Sequence, residues 1–194
     1  MPFQVNARYA LIVARKLLFS KWCALGLTAP FYCTVLWAQS PIPQNDPPPG
    51  VSEACTEPAH RQFDFWGGDW DVRNPAGQLV GTNRIEIILG GCALAETWTS
   101  AGPHRGVSIN FYDESTARWH QTWIGNDGQA LYLDGSVQEG EMVLQGTGVA
   151  RDGTKRSERI TWTPNADGSV RQHWEISTDG AEWRTVFDGK YVRR

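Results

Sequence analysis

Glu86 and Glu96 stand ten residues apart in a run dominated by apolar side chains. Two carboxylates can divide acid and base work when their surroundings separate their pKa values. The plainer reading carries more weight. Arg84 and Glu86 then form an external ion pair, and Glu96 accepts a hydrogen bond inside the fold. Histidines occur at 60, 104, 120 and 173. Imidazole ligates metals well, but no CxxC and no Cys/His cluster accompanies them, so no metal site is expected. His60 and His104 fall in predicted loop or pre-strand positions. A serine hydrolase would need a Gly-x-Ser-x-Gly elbow, and the chain has none. Gly146-Thr147-Gly148 is too short to cradle phosphate and sits in a strand-like run.

The groups that could do chemistry lie in the acidic part of the chain. The first 44 residues hold Arg8, Arg15, Lys16 and Lys21 and no acid, so the remainder carries −7 of a total of −3. An acidic body argues against a nucleic-acid partner. Residues 1–22 are basic and mixed, and Cys23 to Ala38 contain no charge. That is the layout of a secretory signal, with cleavage expected after Ala38. The alternative is an uncleaved anchor, but the apolar run is shorter than the ~20 residues a spanning helix needs. No stable membrane span is expected after cleavage, and the destination is periplasmic or secreted. Four of the eleven prolines crowd between Pro43 and Pro49. Such density resists helix and sheet alike. The division is therefore a signal peptide at 1–38, a Pro-rich linker at 39–54 and one domain at 55–194. Cys23 and Cys33 leave with the signal. Cys55 and Cys92 then pair in an oxidising compartment, or remain as two buried thiols.

From Phe63 the chain becomes ten short β-like runs separated by turn chemistry. Asp-Gly pairs at 127–128, 152–153, 167–168 and 179–180 are strong hairpin signals. Every connection is short, which permits only antiparallel neighbours. Closing the meander into a barrel removes its edges. A two-sheet sandwich would need a long crossing link, and none is visible. Alternation assigns faces. Trp119, Gln121 and Trp123 share one, as do Val170, Gln172, Trp174 and Ile176, and Leu94, Glu96 and Trp98. In the fourth run Val107, Ile109 and Phe111 oppose Ser108, Asn110 and Tyr112. The more aromatic faces are expected to look inward, which puts Gln121, Gln172 and Glu96 in a Trp-rich lumen. About eight strands enclose just enough space for one small ligand, and ten leave more. Eight of the ten tryptophans fall after residue 45. Core packing is their ordinary use, and a sugar-stacking platform is the less favoured one.

The segment Phe63-Asp64-Phe65-Trp66-Gly67-Gly68-Asp69-Trp70-Asp71-Val72 carries Gly-x-Trp at Gly68 and Trp70. It resembles the opening of the calycin superfamily, which includes lipocalins, fatty-acid-binding proteins and nitrobindin-like haem barrels. The wider set is similar to a group of uncharacterised exported bacterial proteins with a lipocalin-like domain. That set adds Asn83-Arg84-Ile85-Glu86, Gly90-Gly91-Cys92, Trp119-x-Gln121-x-Trp123 and Arg171-Gln172-x-Trp174-Glu175. It covers roughly Phe63 to Arg194. The resemblance implies that Trp70 lies at the barrel base under an arginine from the far end of the chain: Arg193, Arg194 or Arg184. It also implies that His173 falls broadly where a haem barrel places its axial ligand. Arg171 and Glu175 share that face, however, and mark it as solvated.

The expectation is an all-β antiparallel meander barrel of about ten strands that binds a small, largely apolar molecule. Trp98, Trp119, Gln121, Trp123, Gln172 and Trp174 would line its cavity. No cofactor is expected, with haem on His173 as the minor alternative. An enzyme on the same barrel would be an isomerase, cyclase or hydrolase using Glu96, with Gln121 and Gln172 orienting the substrate. A large cavity with a desolvated Glu96 favours the enzyme. Neutral polar groups alone favour the binder. A filled interior favours a structural or envelope-interaction module.

Overall fold

The structure is a computed structural model that describes residues 55–150 and 152–194. The expected signal peptide and linker lie outside the described residues. Ten strands follow one another: β1 (Gly68–Arg73), β2 (Leu79–Ile88), β3 (Ala93–Ser100), β4 (Arg105–Asp113), β5 (Arg118–Gly125), β6 (Ala130–Gln138), β7 (Glu141–Val149), β8 (Lys155–Pro164), β9 (Val170–Ser177) and β10 (Arg184–Arg193). Each pairs antiparallel with its neighbours in sequence, and β1 pairs with β10, so the barrel closes. The only α-helix among the described residues is the four-residue α1 (Pro58–Arg61).

The Asp-Gly turns form for the reason the residue types suggest. Gly128 and Gly168 adopt φ of 80° and 78°. An Asp carboxylate before each glycine accepts the N–H two residues on: Gln129 N to Asp127 Oδ1 at 3.1 Å and Ser169 N to Asp167 Oδ1 at 3.0 Å. These turns fix hairpin register.

One end of the barrel is closed by aromatic side chains. Phe63, Trp66, Trp70, Trp119 and Trp162 are all buried there. Phe63 stacks on Trp66 at 4.9 Å and meets Trp162 edge-on at 5.1 Å. Trp70 donates its indole N–H to the Trp66 carbonyl at 2.8 Å. Arg193 caps this end. Its guanidinium lies 4.4 Å from the Trp70 ring centroid and donates to the Gly67 carbonyl at 3.1 Å. The Cys55–Cys92 disulfide links the segment entering this end to the residue before β3, with a sequence separation of 37. A crosslink closing a loop of that size is worth roughly 3–4 kcal/mol in the chain-entropy picture.

Candidate functional site

Opposite the aromatic plug, the barrel interior opens into a cavity of about 540 Å³. Its mouth is framed by the β3–β4 and β5–β6 turns, which contribute His104, Arg105 and Asn126. Its walls are Trp98, Trp123, Trp174 and Phe187. Deeper in stand Gln121, Gln172, Tyr191 and Glu96.

Two glycines create the seats for the wall. A Cβ on Gly106 would stand 2.5 Å from the Trp123 ring, and one on Gly81 would stand 2.5 Å from the Trp98 ring. Trp123 and Trp98 therefore press directly against neighbouring backbone, which only glycine permits there. Gly106→Ala is expected to cost about 1–3 kcal/mol, the usual penalty for overpacking. It should also push the Trp123 ring inward. A shifted Trp fluorescence maximum together with a lower denaturation midpoint checks this, and an unchanged midpoint would count against the close seat.

Below the aromatic wall runs a belt of hydrogen-bonded side chains that crosses six strands. Gln121 donates to Asn110 Oδ1 at 2.8 Å, and Asn110 donates to Ser108 Oγ at 2.8 Å. Ser108 donates to Glu96 Oε2 at 2.6 Å, and Asn83 donates to Glu96 Oε1 at 2.7 Å. The Asn83 amide also reaches the Tyr191 hydroxyl at 3.3 Å, and that hydroxyl donates to Gln172 Oε1. Cross-strand pairing sets the geometry, because Glu96 lies opposite Ser108, and Asn110 lies opposite Gln121. Buried polar groups in such a chain satisfy one another, except that Asn83 Oδ1 is buried without a partner.

Glu96 is 6% exposed. Burial pushes its carboxyl above the usual carboxylate range, against the opposing pull of the Ser108 and Asn83 hydrogen bonds. Burial, reinforced by the Glu96 charge, also holds the Tyr191 phenol well above its ordinary value, so it stays a donor. A carboxyl whose folded pKa is raised adds stability below its unfolded pKa and loses that contribution as pH rises through the folded value. Glu96→Gln should therefore be more stable than the parent at neutral pH. The gap should close as pH falls toward the ordinary glutamate value of about 4.5, at up to about 1.4 kcal/mol per pH unit. Urea titrations of both proteins across that range test this. A gap that widens on acidification would be the wrong sign.

Five of the six residues expected to line a cavity surround it: Trp98, Gln121, Trp123, Gln172 and Trp174. Trp119 does not. It shares their face of β5 but sits at the plugged end, 1% exposed, with its indole N–H on Gln62 at 3.1 Å. Arg84 and Glu86 pair outside the barrel at 2.9 Å. His173 lies on the outer surface with its ring on Thr185 at 2.9 Å, near Glu175 and Arg171, and does not face the lumen. Among the described residues, no group of three His, Cys, Asp or Glu is placed to hold a metal ion.

Sequence reasoning missed several functional-site candidates. Asn83, Ser108, Asn110 and Tyr191 complete the belt. Glu158, 1% exposed, accepts the Trp174 indole N–H at 2.7 Å and faces Arg156 at 2.5 Å. Turn positions could have found the belt, since each hairpin turn fixes which residue stands opposite Glu96 or Gln121.

The class defined by these features is a closed ten-stranded antiparallel barrel with one aromatic-plugged end and a cavity at the other. No protein-family model and no curated protein matches the chain.

Proposed function

We propose that this is an exported, lipocalin-like barrel of the calycin kind that binds a small, largely apolar molecule in the cavity above Glu96. The observation that carries the reading is the cavity itself. About 540 Å³ bounded by three indoles and a phenyl ring, with a few polar groups at its base, matches the make-up of small-molecule sites. The Gly68-x-Trp70 opening and the Arg193 stack under it support the lipocalin-like assignment. The Cys55–Cys92 disulfide supports an oxidising compartment, periplasmic or extracellular. No helix among the described residues is long and apolar enough to cross a membrane.

Native mass spectrometry of the full chain, expressed with its own N-terminal segment and purified from the exported fraction, tests the reading. The expected result is a small co-purifying mass that is lost on denaturation. An apo mass that also takes up no apolar probe would overturn it.

One observation favours a second reading, catalysis on the same barrel. Glu96 is desolvated and lines the cavity, the circumstance in which a carboxyl can act near neutral pH. Gln121 and Gln172 would then orient the substrate. Binding remains the leading reading because both Glu96 oxygens already accept hydrogen bonds. Recovery of a bound molecule in chemically altered form after incubation, lost in Glu96→Gln, would move catalysis ahead.

A further inference from the structure

We propose that the molecule held in this cavity is an organic cation: an ammonium group on an apolar body, seated against the indole faces with Glu96 as its counter-ion. The inference rests on the small-ligand reading above and specifies the ligand's charge.

The charges around the lumen are the first ground. No basic side chain belongs to the belt that surrounds Glu96. Two arginines, Arg105 and Arg156, come near the lumen, and neither bonds to a residue of the belt. Arg105, at the mouth, directs Nη1 at the carbonyls of Gly102 and His104, each at 2.7 Å, and of Ser100 at 3.1 Å. Arg156 is paired with Glu158. At the depth of Glu96 an incoming carboxylate or phosphate would therefore meet like charge with no basic side chain in the belt to balance it, since the basic side chains of the lining, His104 and Arg105, stand at the mouth beside Asp127, and burying an unpaired anion is costly. A cation meets the opposite situation.

The walls supply the second ground. Indole and phenyl faces attract cations through their quadrupoles, most strongly where water is excluded, and Trp is the best of them. Trp98, Trp123, Trp174 and Phe187 surround one space. Trp174 also gives its N–H to the Glu158 carboxylate at 2.7 Å. That bond polarises the ring and makes its face more negative.

The third ground is the unused capacity of Gln121. Its amide N–H is taken by Asn110, while its carbonyl oxygen accepts no hydrogen bond from the described residues. A ligand N–H would fill that place, whereas a ligand carboxylate would be repelled by it.

Three probes of nearly equal shape test the proposal: 2-(1-naphthyl)ethylammonium, 2-(1-naphthyl)ethanol and 3-(1-naphthyl)propionate, titrated by calorimetry at neutral pH into the full chain and into Glu96→Gln. The ammonium is expected to bind at least about tenfold tighter than the alcohol, with the propionate weakest, and Glu96→Gln should remove most of the preference for the ammonium while leaving alcohol binding in place. Equal binding of ammonium and alcohol, or tightest binding of the propionate, overturns the cation assignment and leaves the cavity reading standing. A preference for the ammonium that survives intact in Glu96→Gln overturns Glu96 as the counter-ion. The wild-type series decides the charge question even if the variant fails to fold. Failure of all three probes to bind at millimolar concentration overturns the cavity reading, and the cation assignment with it.

Discussion

Trp66→Ala should lower the free energy of unfolding by about 3–5 kcal/mol. The ring is fully buried at the plugged end of the barrel, stacked on Phe63 at 4.9 Å and packed against Trp162 at 5.3 Å. Alanine leaves a void that this rigid cluster cannot refill, because its other members are held by backbone on several strands. Trp162→Ala is expected to cost a similar amount for the same reason. The two rings touch, so the double variant should lose less than the sum, by roughly 0.5–3 kcal/mol. A finer contrast comes from the indole nitrogens. Neither Trp66 Nε1 nor Trp162 Nε1 has a hydrogen-bond partner. Replacement of Trp66 by phenylalanine removes an unsatisfied donor along with some volume, so its cost should fall well below that of alanine. Urea denaturation of the four variants beside the parent measures all of this. A Trp66→Ala loss under about 1 kcal/mol would mean that the plug is not a packed core.

Much of this architecture is legible in the sequence, and the reasons are specific. The Asp-Gly pairs announce hairpins because glycine reaches positive φ and aspartate caps the turn from within. The Cys55–Cys92 pair and the ten strands follow from counting. Alternation puts Glu96, Gln121 and Gln172 on lumen faces. It cannot give height along the barrel, which is why Trp119 and Trp123 read alike although one belongs to the plug and the other to the cavity. Nor does it say which face of β4 turns in. Hydrophobicity would send Val107, Ile109 and Phe111 inward. They lie instead on the outer surface, 51%, 44% and 38% exposed, while Ser108 and Asn110 are buried. The reversal is explained by the belt: Ser108 and Asn110 meet Glu96 and Gln121 across the ladder, and polar side chains that satisfy one another in this way can occupy a lumen. That satisfaction depends on partners in other strands, so no single segment advertises it. The Glu158–Arg156–Trp174 cluster escapes notice for the same reason.

That cluster yields the second large effect. Arg156→Leu should destabilise the barrel by about 3 kcal/mol, because it strips the cation from a carboxylate that is almost wholly buried. Glu158 is 1% exposed, whereas the Arg156 side chain is 20% exposed and partly hydrated, which places the loss at the lower end of the range for a buried pair. The Trp174 indole N–H would remain as the carboxylate's only side-chain donor. The diagnostic experiment is the second substitution. Adding Glu158→Gln to Arg156→Leu removes the stranded charge and keeps an amide oxygen for the indole N–H. It should restore most of the lost stability, a pattern opposite to the additive losses expected of independent sites. Denaturation midpoints at unchanged urea slope give the comparison. If the double variant is as unstable as the sum of its parts, the pair acts through packing and not through charge. Recovery would show that Glu158 depends on Arg156 for neutralisation, so that Arg156 is not free to serve as the partner of an anionic ligand in the neighbouring cavity.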